Sequence, residues 1–131
     1  MLLNTVLINI SIGELFDKYS ILLIKLEKIT NKDKLDYVKK ELDSLNAHII
    51  KFNLDNSLLE NIKKINERLW EIEDKIREKE LKKEFDDEFI NLARQVYLTN
   101  DERCNMKNII NKYYNSEIKE IKSYDNFNLL I

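Results

Sequence analysis

The stretch Ser57 to Lys83, SLLENIKKINERLWEIEDKIREKELKK, constrains the fold more than any other part of the chain. Leu58, Ile62, Ile65, Leu69, Ile72 and Ile76 recur at spacings of four and three, which makes one apolar seam along a helix. Ser57 and Glu60 have the spacing of a capping box and mark its start. About 90° round from the seam, at ~100° per residue, runs a second line of Asn66, Trp70, Glu73 and Arg77. One amide, one indole and two opposite charges make either an ordinary solvated face with a Glu73–Arg77 pair or the wall of a pocket.

The same reading extends to the whole chain because turn residues are almost missing. There is one Gly and no Pro in 131 residues, so long helices with short connections are expected. The chain is long enough to bury a core and is expected to be a single helical domain over 1–131. A net charge of −2 gives no case for nucleic-acid binding. A single Cys, Cys104, excludes an internal disulfide and a Cys-based zinc site. A lone His, His48, leaves little for imidazole chemistry, and beside apolar neighbours it reads as a packing residue. No cofactor and no metal site is expected. No apolar run reaches membrane-spanning length, and no basic region precedes LLNTVLINI as in a signal peptide, so a cytoplasmic location is expected.

The expected fold class is all-α: an antiparallel bundle of about four helices, with long central and C-terminal helices and a short N-terminal strand. Residues 2–10 alternate Val6, Ile8 and Ile10 with Thr5, Leu7 and Asn9, a strand-like arm. Its partner is either the tail 126–131, NFNLLI, or a second copy, and the need for cover points to a homodimer. Helices are expected near 11–30, 33–53, 57–84 and 86–122. A Ser11/Glu14 box opens the first, whose apolar face is Ile12, Leu15, Tyr19, Leu22, Leu26 and Ile29. Its opposite face carries Glu14, Asp17, Lys18, Lys25 and Lys28, with Ile21 and Ile24 keeping apolar character close by. The second repeats Leu35, Val38, Leu42, Leu45, Ile49 and Phe52, and the rest of it is ordinary surface.

Asp86 can cap the last helix, with Phe85 and Ile90 as a staple. If it is unbroken, Phe85, Phe89, Leu92 and Val96 form a seam that Ile110, Tyr114 and Ile121 resume. Between them the same face carries Asn100, Arg103 and Lys107. Polar residues in the middle of a seam are a conflict of the kind found at functional sites. The alternative is a break at Thr99, which has capping-box spacing to Glu102. Either way Arg103 and Lys107 stand together where an anion is suited.

Three segments, SIGELFDKYSILLIKLEKI, NERLWEIEDKIR and LARQVYLTNDERCNMKNIINKYYNSEIKEIKSY, resemble a family of small helical proteins of unknown function from bacteria and their phages. The resemblance covers roughly 10–124. It implies a genomic association with glycosyltransferase and lipopolysaccharide genes, and no established activity. The motif positions include Gly13, Glu14, Asp17, Lys18 and Lys25, then Asn66, Trp70, Glu73 and Arg77, then Asn100, Arg103 and Lys107.

Three functions follow as expectations. In the first, Glu14, Lys18, Lys25, Asn66, Trp70, Glu73, Arg77, Asn100, Arg103 and Lys107 converge on a mostly cationic pocket. Such a pocket suits a phosphate-bearing small molecule, a sugar phosphate or nucleotide-sugar, and the resemblance adds a link to surface-glycan biosynthesis. In the second, the same residues close on each other as a buried polar layer of a structural or assembly bundle. In the third, the pairs Glu14/Asp17 and Glu71/Asp74 hold Mg²⁺, as in all-helical nucleoside-triphosphate pyrophosphatases. No catalytic residue is assigned. A cavity between the polar lines favours the first and closed salt bridges favour the second.

Overall fold

The computed structural model describes residues 4–52 and 56–124. They form four helices: α1 (Ile12–Lys28), α2 (Lys32–Ile50), α3 (Asn56–Lys82) and α4 (Asp87–Tyr113). Among the described residues there is no strand. The all-α bundle is therefore as expected, and the N-terminal strand is not. Residues 5–10 lack the ladder partner a strand needs, and Val6, Leu7 and Ile8 stand exposed. The tail 126–131, the partner expected for them, lies outside the described residues.

Local chemistry accounts for most helix ends. Ser11 Oγ accepts the Glu14 N–H at 3.0 Å, Asn31 Oδ1 accepts the Lys34 N–H at 3.0 Å, and Asp86 Oδ1 accepts the Phe89 N–H at 3.0 Å. Phe85 meets Phe89 edge to face at 5.2 Å. α3 begins at Asn56, one residue ahead of the cap expected at Ser57.

With one glycine in the chain, the C-terminal turns fall on other residues. Lys83 (φ 57°) and Asn115 (φ 54°) adopt the left-handed conformation. After α3, Glu84 N–H bonds Lys79 O at 3.0 Å and Lys83 N–H bonds Glu80 O at 3.1 Å. After α4, Ser116 N–H bonds Asn111 O at 2.7 Å and Asn115 N–H bonds Lys112 O at 3.3 Å. Both are Schellman caps, which usually take Gly at the left-handed position. Lysine has no local compensation there, so Lys83→Gly is expected to stabilise the protein by about 1 kcal/mol. The measurement is a urea midpoint, and an unchanged or lowered midpoint counts against this account of the turn.

α4 runs without a break through Thr99, whose side chain is buried, while Glu102 pairs with Arg68 of α3. It stops at Tyr113, nine residues short of the expected end at 122, because the cap at Asn115 turns the chain back.

The organising helix is α1 rather than α3. α1 packs on each of the other three helices, whereas α2 packs on α1 alone. Leu15, Phe16 and Asp17 are consecutive and all buried, and Ser20, Leu22 and Ile24 are buried further on, so more than one stripe of α1 is covered while the side of Lys18 stays open. The main core joins Leu15 and Phe16 to Ile49, Ile62, Met106 and Ile110. Tyr114 closes it, with ring centroids 5.3 Å from Phe16 and 5.6 Å from Phe52. Gly13 lets α1 approach α4. A Cβ there would stand 2.3 Å from the Lys107 carbonyl oxygen, and the Gly13 N–H donates to Asn111 Oδ1 at 2.6 Å.

α3 and α4 form a long antiparallel hairpin, with Arg68 opposite Glu102 and Lys79 opposite Glu88. From Trp70 to Leu98 no residue is buried, so the far half of the hairpin lies outside the core. No helix among the described residues is long and apolar enough to cross a membrane.

Candidate functional site

Where α1 crosses the hairpin, the polar lines of three helices meet around Asp17. Asp17 is 1% exposed. Arg103 grips it bidentately, Nε to Oδ1 at 2.8 Å and Nη2 to Oδ2 at 2.5 Å. Asn66 donates its amide to Asp17 Oδ1 at 2.9 Å and to Ser20 Oγ at 2.8 Å, and Ser20 Oγ in turn donates to the Asp17 carbonyl. A carboxylate this deep is tolerable only with such partners. One turn along α4, Lys107 Nζ lies 3.0 Å from Glu14 Oε2, 2.7 Å from Glu120 Oε2 and 3.9 Å from Asp17 Oδ2. Lys122 closes the chain of charges at 3.3 Å from Glu120 Oε1.

The electrostatics follow from these contacts. The hydrogen bond to Asp17 raises the Arg103 guanidinium above its already high value, against the opposing effect of burial. Burial acts to lower the Lys107 ammonium, but the bonds to Glu120 and Glu14 outweigh it and its pKa ends above the lysine norm. Burial likewise acts to raise Glu120, and the bond from Lys107 leads the effects that instead leave its carboxyl below the usual range. Three cations, Arg103, Lys107 and Lys122, face three carboxylates, Glu14, Asp17 and Glu120. Among the described residues no buried side-chain nitrogen or oxygen lacks a hydrogen-bond partner. The expected excess of cations is therefore corrected: acids from α1 and from the segment after α4 balance them.

Of the expected site residues, Glu14, Asn66, Arg103 and Lys107 come together. Asn100 sits one turn above Arg103. Trp70 is half-buried one turn beyond Asn66 and does not line the cleft described next. Glu73 and Arg77 are exposed on the far half of the hairpin. Arg77 lies 11 residues past Asn66, about 16 Å along the axis at 1.5 Å per residue, so the hairpin register places it near Leu92. Lys18 is exposed, and Lys25 lies eight residues beyond Asp17, about 12 Å along α1. These four do not share the space of Arg103.

Beside the cluster, a cleft of about 310 Å³ is lined by residues that include Tyr97, Asn100, Arg103, Lys107, Lys122 and Tyr124, with Glu120 among them. Arg103 spends one edge of its guanidinium on Asp17 and is 26% exposed beside this cleft. Cys104 also borders it, its thiol pushed up by burial, which disfavours the reactive thiolate. At the hairpin's far end a cleft of about 250 Å³ surrounds Lys79, whose ammonium is already held by Glu84, Asp86 and Glu88. Among the described residues no group of three or more His, Cys, Asp or Glu is placed to hold a metal ion.

Reading the last segment as continuous helix hid Ser116, Glu120 and Lys122. Ser116 Oγ accepts the Ile12 N–H at 3.1 Å and donates to Ile118 O at 2.7 Å, and Asn108 Nδ2 donates to Glu120 O at 3.2 Å. The only sequence signal was Asn115–Ser116, turn chemistry inside an apparently helical period.

The molecule is thus a small all-helical protein built round one buried, charge-balanced cluster with an open cleft beside it. It belongs to a family of unknown function, DUF6165, whose model matches residues 6–128. No curated protein and no solved structure matches the chain.

Proposed function

We propose that the protein is a binding module for an anionic small molecule, received in the cleft bounded by Tyr97, Asn100, Arg103, Lys107, Lys122 and Tyr124. One observation carries this reading. Arg103 is anchored to buried Asp17 through Nε and Nη2 while the same residue lines the cleft. A guanidinium held by one edge keeps Nη1 and a second edge for a ligand, in an orientation its own rotamer freedom would not supply. Lys107 and Lys122 add charge, and Tyr97 and Tyr124 bring aromatic lining suited to a sugar or base. A sugar phosphate or nucleotide-sugar is the ligand class we favour, in keeping with the link to surface-glycan synthesis that the family resemblance implies.

Thermal unfolding with inorganic phosphate, sugar phosphates and nucleotide-sugars tests this. A true ligand at a hundredfold excess over Kd stabilises by about 2.7 kcal/mol, a rise of several degrees. Asn100→Ala should weaken the response without lowering the melting point of the free protein by a comparable amount. If no phosphate compound raises the melting temperature, the reading fails.

A second reading, a structural bundle whose polar layer fixes the packing of α1 on α4, is favoured by the closed charge balance of the cluster. The absence of any ligand response would leave this one standing. The pyrophosphatase-like reading has less support: Glu14 and Asp17 are engaged with cations of α4, and Glu71 and Asp74 are exposed on α3 beyond Trp70.

A further inference from the structure

Glu120 differs from the other two acids of the cluster. Asp17 and Glu14 approach from α1, behind the cations. Glu120 approaches from the cleft side, on the segment that follows α4. Its two carboxylate oxygens are shared between two lysines, Oε2 on Lys107 at 2.7 Å and Oε1 on Lys122 at 3.3 Å. A bridging carboxylate of this kind presents negative charge and a spaced oxygen pair, as a phosphate group does with greater charge. The segment holding it has no helix. From Glu117 to Tyr124, Glu120 is the one residue that is not exposed, and its side chain and the Asn108 bond to its carbonyl tie the segment to the body, together with the Ser116 bond to the Ile118 carbonyl.

We infer that the Glu120 carboxylate occupies the position of the ligand's anionic group, and that a phosphate-bearing ligand binds by displacing it from Lys107 and Lys122. The inference rests on the cleft being a ligand site and adds where the anion sits and what it must replace. On release of Glu120, Lys107 keeps Glu14 and Asp17 as partners, so displacement leaves no buried charge alone. Both lysines then turn to the incoming oxyanion, and Arg103 lines the same cleft. The internal carboxylate acts as a competitor tethered at high effective concentration, which lowers the affinity for weak anions and selects groups that carry more charge than a single carboxylate.

The experiment is calorimetric titration of inorganic phosphate into the wild-type protein and into Glu120→Gln, which keeps shape and removes the charge. The expected result is binding at least tenfold tighter to Glu120→Gln. In the wild type, saturating phosphate should also speed amide hydrogen exchange over residues 117–124, a readout that requires no variant. Phosphate binding that is equal or weaker in Glu120→Gln, with exchange in 117–124 unchanged or slowed in the wild type, overturns the displacement and leaves the cleft a ligand site. Failure of phosphate to bind either protein overturns the displacement, and the ligand reading falls with it when sugar phosphates and nucleotide-sugars also leave the melting temperature unchanged.

Discussion

Arg103→Ala lowers the unfolding free energy by about 3–5 kcal/mol, the cost of breaking a buried ion pair from one side. Against a typical total of about 5–15 kcal/mol this is a large share. A mostly cationic pocket implies instead that the change leaves the fold intact, because removing one cation from a positive cluster relieves repulsion. The buried carboxylate partner makes a loss the expected result. Asp17 is 1% exposed, and without Arg103 its oxygens keep only Asn66 at 2.9 Å and Lys107 at 3.9 Å. Arg103→Lys recovers part of the loss, since an ammonium supplies charge without the fork. Urea denaturation of the two variants checks this, and an Arg103→Ala midpoint within error of wild type would show that water reaches Asp17. The consequence for ligand work is practical: Arg103→Ala cannot report on binding, which is why Asn100 and Glu120 are the positions to change.

The second large effect is at Gly13. In an isolated helix Gly13→Ala is favourable by about 1 kcal/mol. In the protein we expect it to destabilise by about 3 kcal/mol, at the upper end of the range for overpacking. The reason is that the new Cβ meets backbone, the Lys107 carbonyl oxygen at 2.3 Å, and backbone cannot swing aside as a side chain can. α1 must lift from α4, which also stretches the Gly13–Asn111 and Ile12–Ser116 bonds. A peptide of the α1 sequence gaining helicity by circular dichroism while the protein loses stability is the paired result expected. A protein as stable as wild type would mean that the two helices can separate at no cost.

Much of the fold was legible because helices announce themselves locally. The three-four spacing of Leu58 to Ile76, the caps Ser11 and Asp86, and the want of turn residues each speak for their own segment. What sequence could not rank was the helices against each other. α3 has the cleaner seam because only one stripe of it is covered. α1 is covered on more than one side, and Asp17 and Lys18 look alike on paper although one is buried and the other exposed. The site was half legible. Asn100, Arg103 and Lys107 interrupted an apolar seam, and that interruption marked the cluster. Its partners were not visible, since Asp17 sits on a face that reads as solvated and Glu120 follows a turn that Asn115 makes without a glycine. Glu73 and Arg77 fell away for a metric reason: sharing a line with Asn66 says nothing about distance along it.

The hairpin of α3 and α4 has a last consequence. Its near half is clamped by α1, the ion cluster and the main core. Its far half, from Trp70 through the turn at Lys83 to Leu98, has no buried residue and relies on one shared seam and the ion pairs of Lys79. Surface ion pairs contribute little, so the two halves differ widely in the free energy needed to open them. The molecule therefore has no single stability. The tip can fray and reclose many times while the helix crossing at Asp17 stays shut, and the boundary between the two regimes falls at Tyr97 and Asn100, on the rim of the cleft.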